Sequence, residues 1–255
     1  MKKMKSNNLQ NSIRNDRRNF LKLSGAAIVG SGFLFMTGCS DDDDQPMPEP
    51  DPEVFDLGPG NLGILNYAYA LEQLEAAFYE RVLDGSYWAG APSSEKQIFE
   101  DLRNHEVIHR EFFKTAITAA VGSDTSLVLP DLEFDFSTVD FGSRDNVLNI
   151  SQILEDTGVS AYNGAGELID VSDSAGLTYL TLAGKIVSVE ARHASAIRDL
   201  ISPGSTNFAS DMVLVDIGGS GLAYDKATPP ADVLTAVVNT GFVVTPFTAN
   251  NLPNS

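Results

Sequence analysis

Among the residues able to do chemistry, two Glu-x-x-His pairs stand first: Glu106/His109 and Glu190/His193. A Glu and a His three apart on a helix project from one face about a turn apart, so both reach a single ion. Two of the chain's three histidines have this spacing, too large a share for chance. The surroundings repeat as well. LEQLEAAFY from Leu71 aligns with LEDTGVSAY from Leu154, matching Glu72 to Glu155 and Tyr79 to Tyr162. The separations agree, with 34 residues from Glu72 to Glu106 and 35 from Glu155 to Glu190. This is a duplicated helix pair. Pointing inward from four helices, Glu72, Glu106, His109, Glu155, Glu190 and His193 supply four carboxylates and two imidazoles, the set that holds two iron or two manganese ions in a bundle core. Glu75 shares the stripe of Glu72 and is a further candidate ligand, although the repeat favours Glu72. His105 sits about 100° around the helix from Glu106, a packing or solvent-facing position. Tyr79 and Tyr162 either donate hydrogen bonds to ligand carboxylates from across the bundle or fill core space. Without cations, the same residues would form hydrogen-bonded pairs, but burying four carboxylates that way is costly unless several are protonated.

The elements that must position these residues are legible as apolar stripes at helical spacing. In the first helix the stripe runs Leu65, Ala68, Glu72, Glu75, Tyr79, Val82; in the second, Ile98, Leu102, Glu106, His109, Phe113, Ala116. The second is predicted to start near Ser94, with Gln97 completing a capping box. Residues 121 to 144 are rich in Asp, Ser, Thr and Gly and contain Pro130, which predicts a long crossover. A third helix carries Leu148, Gln152, Glu155, Val159, Tyr162, Gly166 and Ile169, with Gly158, Gly164 and Gly166 permitting close packing. The fourth begins near Ser174, carries Leu182, Ile186, Glu190, His193 and Ile197, and stops at Ser202-Pro203-Gly204. A short fifth helix is expected from Thr228 as cap and Pro229 as first residue to near Gly241, followed by an extended tail. Trp88, in the loop GSYWAGAPS, reads as a packing anchor.

Composition bounds the function classes. The chain has 255 residues and a formal net charge of −18, but its first 38 residues carry seven Lys/Arg and one acid, leaving 10 Lys/Arg against 34 acids in the rest. So acidic a surface repels nucleic acid and attracts metal cations. The single cysteine, Cys39, excludes an intramolecular disulfide and a cysteine-built metal site. Residues 1–39 have the layout of an export signal. Arg17-Arg18-Asn19-Phe20-Leu21-Lys22 resembles a twin-arginine motif, with Asp16 where Ser or Thr is usual, and Met36-Thr37-Gly38-Cys39 resembles a lipobox that would make Cys39 a lipidated anchor. Leu23 to Met36 is too short for a membrane span of about 20 apolar residues. Residues 40–58, acidic and Pro-rich, form a tether. The bundle takes 59–202 and a C-terminal extension packed on it takes 203–255.

With these segments in view, the chain resembles the ferritin-like superfamily, and within it the exported group that includes desiccation-related proteins. LEQLEAAFY, HEVIHREFF, LEDTGVSAYNGAGELI and VEARHASAIRDL carry the likeness, over roughly residues 60 to 202. The resemblance implies an all-α, four-helix bundle with one long crossover between its second and third helices, and metal ligands on the six residues named above. It implies a carboxylate-bridged di-metal centre, iron ahead of manganese, reacting with O₂ or peroxide in oxidative stress. The alternatives are a non-catalytic, desiccation-related protein of the envelope and a metal-binding scaffold. An exported bacterial lipoprotein is expected at the periplasmic face or cell surface of the outer membrane. Its expected partners are metal ions, small oxidants and membrane, not nucleic acid, with a homo-oligomer compatible.

Overall fold

A computed structural model describes residues 54–216 and 221–254; the export segment, Cys39 and most of the tether lie outside the described residues. Four long helices dominate: α1 (Gly60–Leu83), α3 (Ser93–Val121), α4 (Arg144–Gly166) and α5 (Ser174–Ile201). Between the first two lies α2 (Ser86–Gly90), and the C-terminal region adds α6 (Pro230–Thr240). The strands are short: β1 (Phe55–Asp56) pairs in parallel with β4 (Phe247–Thr248), and β2 (Leu214–Asp216) pairs antiparallel with β3 (Leu222–Asp225). The chain is therefore an all-α bundle with minor β decoration. No helix among the described residues is long and apolar enough to cross a membrane.

The bundle consists of two helical hairpins, α1 with α3 and α4 with α5. Unlike its partners, α1 is buried on nearly every side, because the 122–143 crossover runs along its back. Two amides on that back receive part of the crossover's main chain. Asn66 donates to the carbonyls of Leu57 and Leu127 (3.1 and 3.0 Å) and accepts from the Leu129 amide (3.0 Å). Gln73 accepts from the Leu132 amide at 2.7 Å. Burial of irregular backbone is tolerable only with such partners. Phe78, Phe136, Phe141 and Phe242 seal the crossover's far end.

Several local expectations need correction. The second bundle helix starts at Ser93 after an extended Pro92, and no side chain caps it; Gln97 instead donates to Asp101 on the next turn. The capping box fails because Pro92 already supplies the extended entry. α6 likewise begins at Pro230 behind an extended Pro229, while Thr228 straps the chain to α4 by donating its amide to the Ser160 carbonyl at 2.9 Å. That strap explains Gly164, where a Cβ would meet the Thr228 carbonyl oxygen at 2.0 Å. Gly166 has open space instead. On α4 the inward position falls on Ser151, fully buried, rather than on half-buried Gln152. Trp88 lies in α2 rather than a loop, half-buried with the Lys96 ammonium 5.2 Å above its ring.

Candidate metal centre

Each bundle helix delivers its acidic or imidazole groups at the middle of its apolar stripe, so burial of the stripes brings them together. Glu72, Glu106, Glu155 and Glu190 have no exposed surface, His193 has 3% and His109 8%. The six form two groups whose ligand atoms lie within 4.8 Å of one another: Glu72, Glu106, His109 and Glu190 in one, Glu106, Glu155, Glu190 and His193 in the other. Glu106 and Glu190 belong to both, the position of bridging carboxylates. Each group takes three residues from one hairpin and one from the other.

The orientation of these atoms decides between a hydrogen-bonded core and a ligand set. His109 Nδ1 faces Glu190 Oε1 at 3.0 Å, Glu72 Oε2 at 3.4 Å and Glu106 Oε2 at 3.5 Å. His193 Nδ1 faces Glu106 Oε1 at 2.7 Å, Glu155 Oε2 at 3.5 Å and Glu190 Oε2 at 3.6 Å. Yet neither nitrogen, nor any of these oxygens, has an aligned hydrogen-bond partner. Buried polar atoms left in this state cost about 1–3 kcal/mol each, more when charged. Donor atoms that converge on a shared point, close but misaligned with one another, are what a cation between them requires. Carboxylate oxygens and neutral imidazole nitrogens suit iron or manganese, so the donor set fits a metal.

The remaining lone pairs are handled by tyrosines, reciprocally. Tyr79 of α1 donates to Glu155 Oε1 of α4 at 2.5 Å, and Tyr162 of α4 donates to Glu72 Oε1 of α1. Of the two roles expected for these tyrosines, they perform the polar one. Glu72 rather than Glu75 joins a ligand group. Glu75 occupies the space opposite Gly158, where an added Cβ would stand 3.0 Å from its Oε1. Glycine thus stands at the repeat position of Glu75 and leaves room for it.

Charge follows from this crowding. Burial and the carboxylates of Glu190, Glu106, Glu155 and Glu72 push Glu75 well above the usual carboxylate range. Burial also raises Glu106 and Glu155. Burial alone would depress His109, but Glu106, Glu190 and Glu72 overrule it and hold the ring at about 12; His193 is raised for the same reason, by Glu155, Glu106 and Glu190. The two imidazoles hold Glu190 down at about 2 against the effect of its burial. In the metal-free chain the positive charge among the carboxylates is thus that of two imidazolium ions.

His105 was expected to pack or face solvent. It lies against His193, rings near-parallel at 13° and Nδ1 2.8 Å from His193 Nε2. As an imidazolium, or with Nδ1 given to a metal, His193 carries a proton on Nε2, and His105 Nδ1 is placed to accept it. Burial and the charges of His193 and His109 depress His105, which suits a neutral acceptor. No spacing along one helix reveals this contact, which spans α3 and α5.

The model of the ferritin-like domain family matches residues 60–203, more than half the chain and the whole of the bundle. The chain belongs to the ferritin-like family. No curated protein matches it.

Proposed function

We propose that the bundle holds two divalent metal ions, iron ahead of manganese, and reacts with dioxygen or peroxide in an oxidative-stress role. The protein would act at the cell envelope, exported through its twin-arginine-like signal and anchored by lipidated Cys39. What carries this reading is the double membership of Glu106 and Glu190 in two buried four-donor groups, which a single ion does not need. Glu72 with His109 would hold one ion, Glu155 with His193 the other, and Glu106 and Glu190 would bridge them. Iron held there would supply the electrons that reduce the oxidant. The chain's own part is to fix the carboxylates through Tyr79 and Tyr162, to orient His193 through His105, and to keep bulk water out of a core with almost no exposed surface.

The test is metal analysis of the domain purified from cells supplied with both iron and manganese. Two ions per chain are expected, and His193→Ala should lose at least one. Stoichiometry unchanged in that variant, or no metal in the parent, overturns the centre; bound metal without turnover favours the scaffold role over the redox one.

A further inference from the structure

The core below the ligands is not filled. A cavity of about 110 Å³ lies on the bundle axis at the end where α1 begins and α3 ends. Its walls are the next turns of the ligand-bearing stripes: Ala68 four residues before Glu72, Phe113 four after His109, Tyr162 seven after Glu155 and Ile186 four before Glu190. One helical turn is about 5.4 Å, so the cavity starts about that far from the ligand layer. Ala116 and Gly166 keep the layer beyond it empty. At the opposite end the same positions hold bulk, with the rings of Tyr79 and Phe99 6.2 Å apart and Val82, Leu102 and Leu148 buried around them.

Its walls are carbon. The Tyr162 hydroxyl is committed to Glu72, and the Tyr67 hydroxyl, buried without a partner, offers the cavity almost no accessible surface. Water inside would need two to four polar partners and has none, whereas apolar cavities of about 150 Å³ stay dry and take up xenon or benzene. Hydrogen peroxide would forfeit its hydrogen bonds on entering. Dioxygen has none to forfeit. The volume suits a diatomic gas and is too small for a long acyl chain, and the cavity is not sealed: Phe112, Ala116, Tyr179 and Leu182 in its lining are only half-buried, so a small molecule can enter from that side.

The geometry points to this cavity as a holding site for dioxygen on the approach to the candidate metal centre, which makes dioxygen rather than peroxide the oxidant the chain is built to receive. The choice of oxidant rests on the reading of the centre given above; the cavity's affinity for an apolar gas does not.

Two measurements separate those claims. Metal-free crystals pressurised with xenon should show xenon among Ala68, Phe113, Tyr162 and Ile186. Ala68→Leu and, separately, Ala116→Leu should abolish it, while Leu65→Ala should increase it. In iron-loaded protein either filling variant should raise the KM for dioxygen about fivefold, the loss of one or two methylenes' worth of apolar burial, and leave the rate with peroxide unchanged. Absence of xenon, ordered water in the cavity, or a copurified hydrocarbon there overturns the assignment. So does equal slowing with both oxidants in a folded variant. Xenon bound in a chain that takes up no metal would uphold the cavity and remove its purpose.

Discussion

His105 and Val189 stand at the same place in the two halves, each four residues before the histidine of its own Glu-x-x-His pair, yet only His105 reaches an imidazole, and it is the one on the other hairpin. A histidine whose outer nitrogen is bonded keeps its inner lone pair aimed, and loss of such a partner typically costs 10- to 100-fold in metal affinity. His105→Ala is therefore expected to weaken metal binding by about 10- to 100-fold in a chelator competition titration, whereas Val189→Ala should leave it close to the parent value. That Glu72, Glu106, His109, Glu155, Glu190 and His193 share the inner faces of their helices was legible beforehand, because their spacing obeys the helix period within each element. His105 and the fit of Glu75 against Gly158 were not, since they depend on distances between helices that no single-helix pattern encodes.

Among the elements, the four bundle helices were readable from their stripes, while α2, the missing capping box and the start of α6 were not; prolines at 92 and 229 set those entries through backbone geometry where side-chain signals had pointed elsewhere. The β1–β4 pairing is also unreadable locally, as it joins residues almost 200 positions apart. Asp56 fastens it, accepting from the Gly58 amide at 2.9 Å, the Thr248 hydroxyl at 2.8 Å, the Asn250 amide at 2.9 Å and Asn251 Nδ2 at 3.2 Å. Burial would raise this carboxyl, but the donors outweigh it and hold its pKa below 3.8. A depressed value means stability present above 3.8 and lost as the pH falls through the folded value. The Leu57 amide, bonded to the Thr248 carbonyl at 2.8 Å, reports on the clasp. Its hydrogen exchange should quicken in Asp56→Ala, with a stability loss of about 1–2 kcal/mol. In the parent, acid should open the same clasp.

For the molecule as a whole, the buried centre sets how stability depends on pH. In the metal-free chain Glu75, Glu106, Glu155, His109 and His193 all hold protons more tightly folded than unfolded. Their contribution is complete below the unfolded values, 4.5 for Glu and 6.5 for His, and is lost as the pH climbs through the folded ones. Glu190 opposes them, contributing above 4.5 and losing that contribution only as the pH falls through about 2. Between about pH 5 and 8 the first set prevails, at about 1.4 kcal/mol per pH unit for each proton the unfolded chain releases first. Thermal unfolding of chelator-treated protein should show Tm falling from pH 5 to pH 8. Added metal, which displaces those protons, should raise Tm more at pH 8 than at pH 5. The duplication is not exact, and its departures are paired: Glu75 faces Gly158 across the repeat, and His105 has only Val189 as its counterpart. The two buried donor groups therefore sit in unlike surroundings, one backed by an extra carboxylate and the other by an extra imidazole, so two halves alike in plan need not be alike in strength.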